Sequence, residues 1–116
     1  MPTEPESSVE VVQLDGSALI RLVGDIDLAS QELFLEVLEP LCAQSGATVE
    51  LDLSKVSFID SSGLFLLVKL HRISKAACGA LLISKPSDRV QVLFDITGAQ
   101  ETLTVVNETD WPDASG

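Results

Sequence analysis

Basic residues are scarce in this sequence of 116 residues: seven lysines and arginines stand against 18 aspartates and glutamates, for a net charge of -11. That scarcity argues against nucleic acid or an anionic membrane surface as a partner, because like charges repel over a Debye length, about 8 Å at physiological salt. A basic protein surface is the natural complement, although solubility alone would also account for many of the acids. Histidine is nearly missing, with His71 the single copy. The two cysteines, Cys42 and Cys78, have no CxxC spacing and no histidine pair beside them. Neither a metal site nor a disulfide framework is indicated, and both read as small buried apolar side chains. There is no glycine-rich phosphate loop, so the chain does not look like a kinase or a nucleotide-hydrolysing enzyme. No apolar run reaches the ~18 to 20 residues needed to cross a bilayer, and the opening MPTEPESSVE lacks the basic and apolar regions of a signal peptide. The protein is expected in the cytoplasm.

What is present suffices for one domain with a real core: 46% of residues are apolar and the mean hydropathy is +0.32, values far from those of disordered chains. The stretch from Phe58 to Leu70, FIDSSGLFLLVKL, organises the rest. Asp60, Ser61, Ser62 and Gly63 favour turns and helix N-caps, because the short polar side chains bond free backbone N–H groups and glycine imposes no steric limit. Leu64 to Leu70 is almost wholly apolar. The pattern reads as a mostly buried helix, about Ser62 to Ala77, whose first turn stands at the surface with two hydroxyls on it. A helix start is also a favourable place to hold an anion, including a phosphate attached to the chain. Ordinary capping by one of the two serines explains the cluster equally simply. For Asp60 the plain alternative is an Asx turn.

Around that centre the chain reads as strand, strand, helix, strand, helix, strand, helix, strand. Residues 1–7 form an expected flexible arm. Ser8 to Leu14 and Ala18 to Val23 form a hairpin through Asp15, Gly16 and Ser17. Gly24 to Asp27 breaks the pattern, and a helix begins near Leu28 or Ala29, with Leu28, Phe34, Leu35, Leu38, Leu41 and Cys42 along one face and Asp27 a natural cap. Pro40 should kink or end it. Thr48 to Leu53 alternates as a strand, with Glu50 and Asp52 facing away from Val49, Leu51 and Leu53, and Ser54 to Ile59 is a bridge pinned by Val56 and Phe58. Ala80 to Ser84 is a buried strand. A helix capped by Ser87 or Asp88 follows, with Val90, Leu93, Phe94 and Ile96 inward, and then a strand from Leu103 to Val106. Residues 107–116 form an acidic tail. The expected architecture is α/β: a mixed, mostly parallel sheet with an N-terminal antiparallel hairpin, packed with helices.

The segments GDIDLAS (Gly24 to Ser30), ELDLSKVSFIDSSGL (Glu50 to Leu64) and RVQVLFDITGAQETLTV (Arg89 to Val105) together resemble the STAS domain, specifically the bacterial anti-sigma factor antagonists. The resemblance spans about Val9 to Val106, which places the STAS domain at 8–106. In that family the anti-sigma factor is both a partner and a serine kinase, with ATP bound by the partner, and it phosphorylates the first hydroxyl residue after the aspartate. Carried onto this sequence, that residue is Ser61. Ser62 takes the second position, Asp60 and Gly63 frame the pair, and Asp25 and Asp27 fall where the family places an acidic pair that meets the partner. Asp25 departs from the glutamate often found there. The resemblance implies an antagonist that is not an enzyme, needs no cofactor, frees a sigma factor when bare, is switched off by phosphorylation and can be reset by a phosphatase. The competing use of the same domain is as a free-standing subunit of an ABC transporter or signalling assembly. Ser61 as a nucleophile is disfavoured, because His71 lies ten residues further along the same helix, about 15 Å away at ~1.5 Å per residue. Redox control through Cys42 and Cys78 is a minor alternative.

Overall fold

The computed structural model describes residues 7–14 and 17–106. The expected arm, Ser7 excepted, the hairpin residues Asp15 and Gly16, and the acidic tail lie outside them. Five strands form one sheet in the sequential order β1 to β5: β1 (Ser8–Leu14), β2 (Ser17–Ile26), β3 (Thr48–Ile59), β4 (Ala80–Ser84) and β5 (Thr104–Val106). The β1/β2 pair is antiparallel and the other three pairs are parallel. Helices α1 (Gln31–Cys42), α2 (Ser61–Ala76) and α3 (Asp88–Thr97) make the crossovers. Right-handed crossovers through strands taken in order stack all three helices on one face. A single core agrees with this: Ile20, Leu22, Leu51 and Leu53 of the sheet join Phe34 and Leu38 of α1, Leu66, Leu67 and Leu70 of α2, and Val90 and Phe94 of α3.

Strand β3 is longer than its sequence suggests. It runs on through 54–59 and pairs with β2 up to Ile59 opposite Ile26, with register shifts between Arg21 and Val23 and between Gly24 and Asp25. Each shift absorbs one extra residue of β3 and turns the side chains that follow to the other face. The buried apolar residues accordingly fall at Val49, Leu51, Leu53, Val56 and Ile59, in steps of two, two, three and three. Phe58 does not pin a loop; it faces outward and is 39% exposed.

Glu50 and Asp52 do point away from that core, yet both are buried. Asp52 accepts from the Arg21 guanidinium at 3.3 Å and from the Ser54 amide at 2.9 Å and hydroxyl at 2.6 Å. Glu10, Arg21, Asp52 and Ser84 lie in one row across four strands.

Other expectations need correction. Helix α1 starts at Gln31, not near Leu28, because the chain first makes a turn at residues 28–30. It also continues past Pro40 to Cys42. Pro40 and Glu36 are both exposed, so the missing proline N–H falls on the solvent side of the helix, where water can replace it. Ile96 points to solvent and is 76% exposed. Ser87 caps α3, its hydroxyl accepting from the Val90 amide. Cys42 is buried as expected, but Cys78 is exposed in a left-handed turn with φ 62°. Burial pushes the Cys42 thiol up, with a smaller opposing effect from the Ser74 hydroxyl; such a thiol is protonated and unreactive.

Candidate functional site

The carboxyl ends of β2 and β3 meet the start of α2, and the local sequence makes that junction tight. Asp60 sits at the N-cap in an extended conformation, φ -122° and ψ -167°. Its Oδ1 accepts from the amides of Ser62 at 2.9 Å and Gly63 at 3.1 Å. The cap is therefore the aspartate, and neither serine hydroxyl is used for it. Asp60 in turn donates its own amide to the Ile26 carbonyl at 3.5 Å. Gly63 lets the helix come that close: a Cβ there would lie 2.3 Å from the Ile26 oxygen and 2.7 Å from Ile59 Cγ1. No other residue has so small a footprint, so the first turn of α2 is fixed against the end of β2.

This arrangement leaves Ser61 exposed at the first position of α2 and Ser62 half-buried beside it. The Ser61 hydroxyl makes no hydrogen bond with a described residue. It is an accessible oxygen at the positive end of a 16-residue helix, where the dipole favours a phosphate even though Asp60 already holds the Ser62 and Gly63 amides.

Asp25 and Asp27 lie at the same end of the sheet but differ in their roles. Asp27 Oδ1 accepts from the Ser30 amide at 3.1 Å, so it closes the turn ahead of α1 and does not cap the helix itself. The Ser30 hydroxyl donates to the Asp25 carbonyl at 2.7 Å, and the Ser7 hydroxyl reaches the same oxygen at 2.9 Å. Asp25 is paired across the sheet with the outward-facing Phe58. Because side chains alternate along a strand, Asp25 turns to the face opposite the buried Ile26. Asp60, Ser61, Ser62 and Gly63 are thus one unit with Ile26, whereas Asp25 is the outlying member.

Three residues that sequence reasoning did not assign to the site complete the surface, Leu28 among them having been expected on the apolar face of the first helix. Leu28, Gln31 and Phe65 line, with Ser61 and Ser62, an open groove of about 450 Å³. Leu28 is 72% and Phe65 63% exposed. Phe65 was discoverable, since it stands four residues after Ser61 and must share its helix face. Leu28 was not, because the turn that precedes α1 takes it off the helical periodicity. The groove offers two apolar anchors around an exposed hydroxyl. Such a mixture suits a protein partner, since large exposed apolar side chains mark contact surfaces.

The STAS domain family model matches residues 8–110. The anti-sigma-B factor antagonist of Bacillus subtilis is 34% identical over 98 residues, covering 84% of this chain and 89% of that protein. The chain therefore belongs to the STAS domain family, among its anti-sigma factor antagonists. The unphosphorylated anti-sigma factor antagonist SpoIIAA superposes with a TM-score of 0.74 at 24% identity, covering 92% of this chain and 93% of that one. The phosphorylated form of the Bacillus cell-fate determinant SpoIIAA gives 0.68 at 19% identity, with 92% and 96% covered. At these identities the two structures speak for the fold.

Proposed function

We propose that this chain works as a phosphorylation-controlled anti-sigma factor antagonist. Bare, it docks on an anti-sigma factor and so frees a sigma factor; with a phosphate on Ser61 it no longer docks. The observation that carries this reading is the division of labour at the start of α2, where Asp60 holds the cap and leaves the exposed Ser61 hydroxyl unengaged. Asp27, Asp60 and Ser62 border the docking surface with Leu28 and Phe65, the buried Gly63 holds α2 in place beneath it, and Asp25, turned to the opposite face of the sheet, lies at its margin.

The physical logic follows from charge. A phosphoserine adds about -1.5 to -2 charges with several acceptor oxygens. At the exposed first helical position those oxygens keep their water and lie at the positive end of the helix dipole, so the fold tolerates them. Covered by a partner, the same charge would lose its water and sit beside Asp60. A penalty of several kcal/mol is expected for an unpaired buried charge, and about 3 kcal/mol already lowers affinity by roughly two orders of magnitude.

On this reading the chain is the substrate of a kinase and not itself an enzyme. Its partner brings the ATP, and a phosphatase can reset the mark. The setting is the cytoplasm, where sigma factors act; no described helix is long and apolar enough to cross a membrane.

The test is to incubate the protein with ATP and each purified ATP-binding anti-sigma factor of the same genome, then map the modified residue by mass spectrometry. Phosphate on Ser61 of the native chain and none on Ser61→Ala is expected. Normal phosphate incorporation into Ser61→Ala, or labelling by ATP alone, would contradict the proposal.

A further inference from the structure

Cations are few in this molecule, and their placement is uneven. Helix α2 contains no Asp or Glu but carries Lys69, Arg72 and Lys75, three of the seven basic residues in the sequence. All three are exposed, and none makes an ion pair within 4 Å with a described carboxylate. Helix α1, which packs against α2, has the reverse composition: Glu32, Glu36 and Glu39 are exposed and no Lys or Arg is present.

Capping the helix dipole accounts for Lys75, which lies in the last turn. It does not account for Lys69 and Arg72, which precede that turn. Nor does the surface-solubility role that serves the many acids explain cations left unpaired beside a row of glutamates. Spacing connects them to the switch instead. Ser61, Phe65, Lys69 and Arg72 follow at intervals of four, four and three, so they share one solvent face of α2. That face begins at the docking groove and extends about 16 Å along the helix axis.

We infer that the outer face of α2, through Lys69 and Arg72, meets an acidic patch on the anti-sigma factor and sets the orientation in which it docks. This deepens the function proposed above and rests on it. A molecule of net charge -11 disfavours an acidic patch over most of its surface, and the face of α2 that carries Lys69 and Arg72 without acids on the same helix leads to Ser61. Wrong poses are thereby disfavoured while the productive one is steered. Arg72 is about two Debye lengths from Ser61 at physiological salt, so phosphorylation should not reach the cationic end and the two effects should be independent.

The experiment compares association rates of a purified anti-sigma factor that binds the native chain, using native protein, K69E/R72E, and K85E/R89E, which makes the same change of net charge outside α2. In low salt K69E/R72E should associate about tenfold more slowly and K85E/R89E less than about twofold, with the gap closing toward ~1 M salt, where the Debye length is about 3 Å. Equal slowing of the two variants, or no slowing of K69E/R72E, would overturn the inference and leave the proposed function intact. Failure of the native chain to bind any anti-sigma factor of its genome would remove both. Concentration-dependent sedimentation of the native chain alone, abolished in K69E/R72E, would also overturn it, by showing that a second copy occupies this face.

Discussion

Asp60 determines what Ser61 is free to do. The first turn of any helix has amides without partners, and here one carboxylate takes two of them, at Ser62 and Gly63. Replacing Asp60 with Ala should cost about 1 kcal/mol, within the usual range for a lost N-cap, and lower the midpoint of thermal unfolding by roughly 4 to 8 °C. Ser61→Ala should leave that midpoint within about a degree or two, because exposed side chains without partners contribute within about 0.5 kcal/mol. Scanning calorimetry on the two variants separates them, and a large loss in Ser61→Ala with none in Asp60→Ala would reverse the assignment of the cap. The sequence makes a helix start visible here, since Asp, Ser and Gly cluster before an apolar run. It does not reveal which of three good capping residues takes the position, because aspartate and serine are nearly equal in that role. The structure decides it through the extended backbone of Asp60. The same limit applies to the cysteines: composition makes both small and apolar, and only the left-handed turn at Cys78 exposes one of them.

The elements that build the site are β2, β3 and the amino-terminal half of α2. Their existence was readable from hydrophobic period, but two features were not. The irregularities in β3 leave no compositional mark, so the residues 54–59 look like a bridge until pairing with β2 shows them as strand. The turn before α1 displaces Leu28 from the helix onto the groove rim, although its spacing to Phe34, Leu35 and Leu38 counts it among the apolar helical set. Both features are set by tertiary pairing, which a local pattern does not encode. Their functional consequence lies in the groove, where Leu28 and Phe65 stay exposed. Phe65→Ala should therefore change unfolding free energy by no more than about 0.5 kcal/mol while weakening partner binding by about tenfold or more, the loss of about 1.4 kcal/mol from an aromatic anchor. Denaturant titration and an equilibrium binding measurement on the same preparation check the pair. A destabilised Phe65→Ala that binds normally would assign that side chain to the core instead.

At the scale of the whole molecule, sequential strand order gathers the helices on one side and brings the carboxyl ends of the parallel strands together, which is where open α/β sheets present their functional loops. The mixed, mostly parallel sheet with its antiparallel hairpin was legible from the alternation of strands and helices; the sequential strand order comes from the pairing. The rigidity of the junction was not legible. It rests on Gly63 lying against Ile26, a contact between residues 37 positions apart in the chain. Because the junction is tight, an added phosphate need not reshape the fold, and the control proposed above would operate at the surface around Ser61. The most direct measurement is isothermal titration of the cognate anti-sigma factor with the bare protein and with protein phosphorylated at Ser61, alongside the unfolding midpoint of each form. Affinity should fall at least about a hundredfold on phosphorylation, roughly 3 kcal/mol, with the two midpoints within a few degrees. Equal affinities, or a phosphorylated form that has lost its folded transition, would contradict the account.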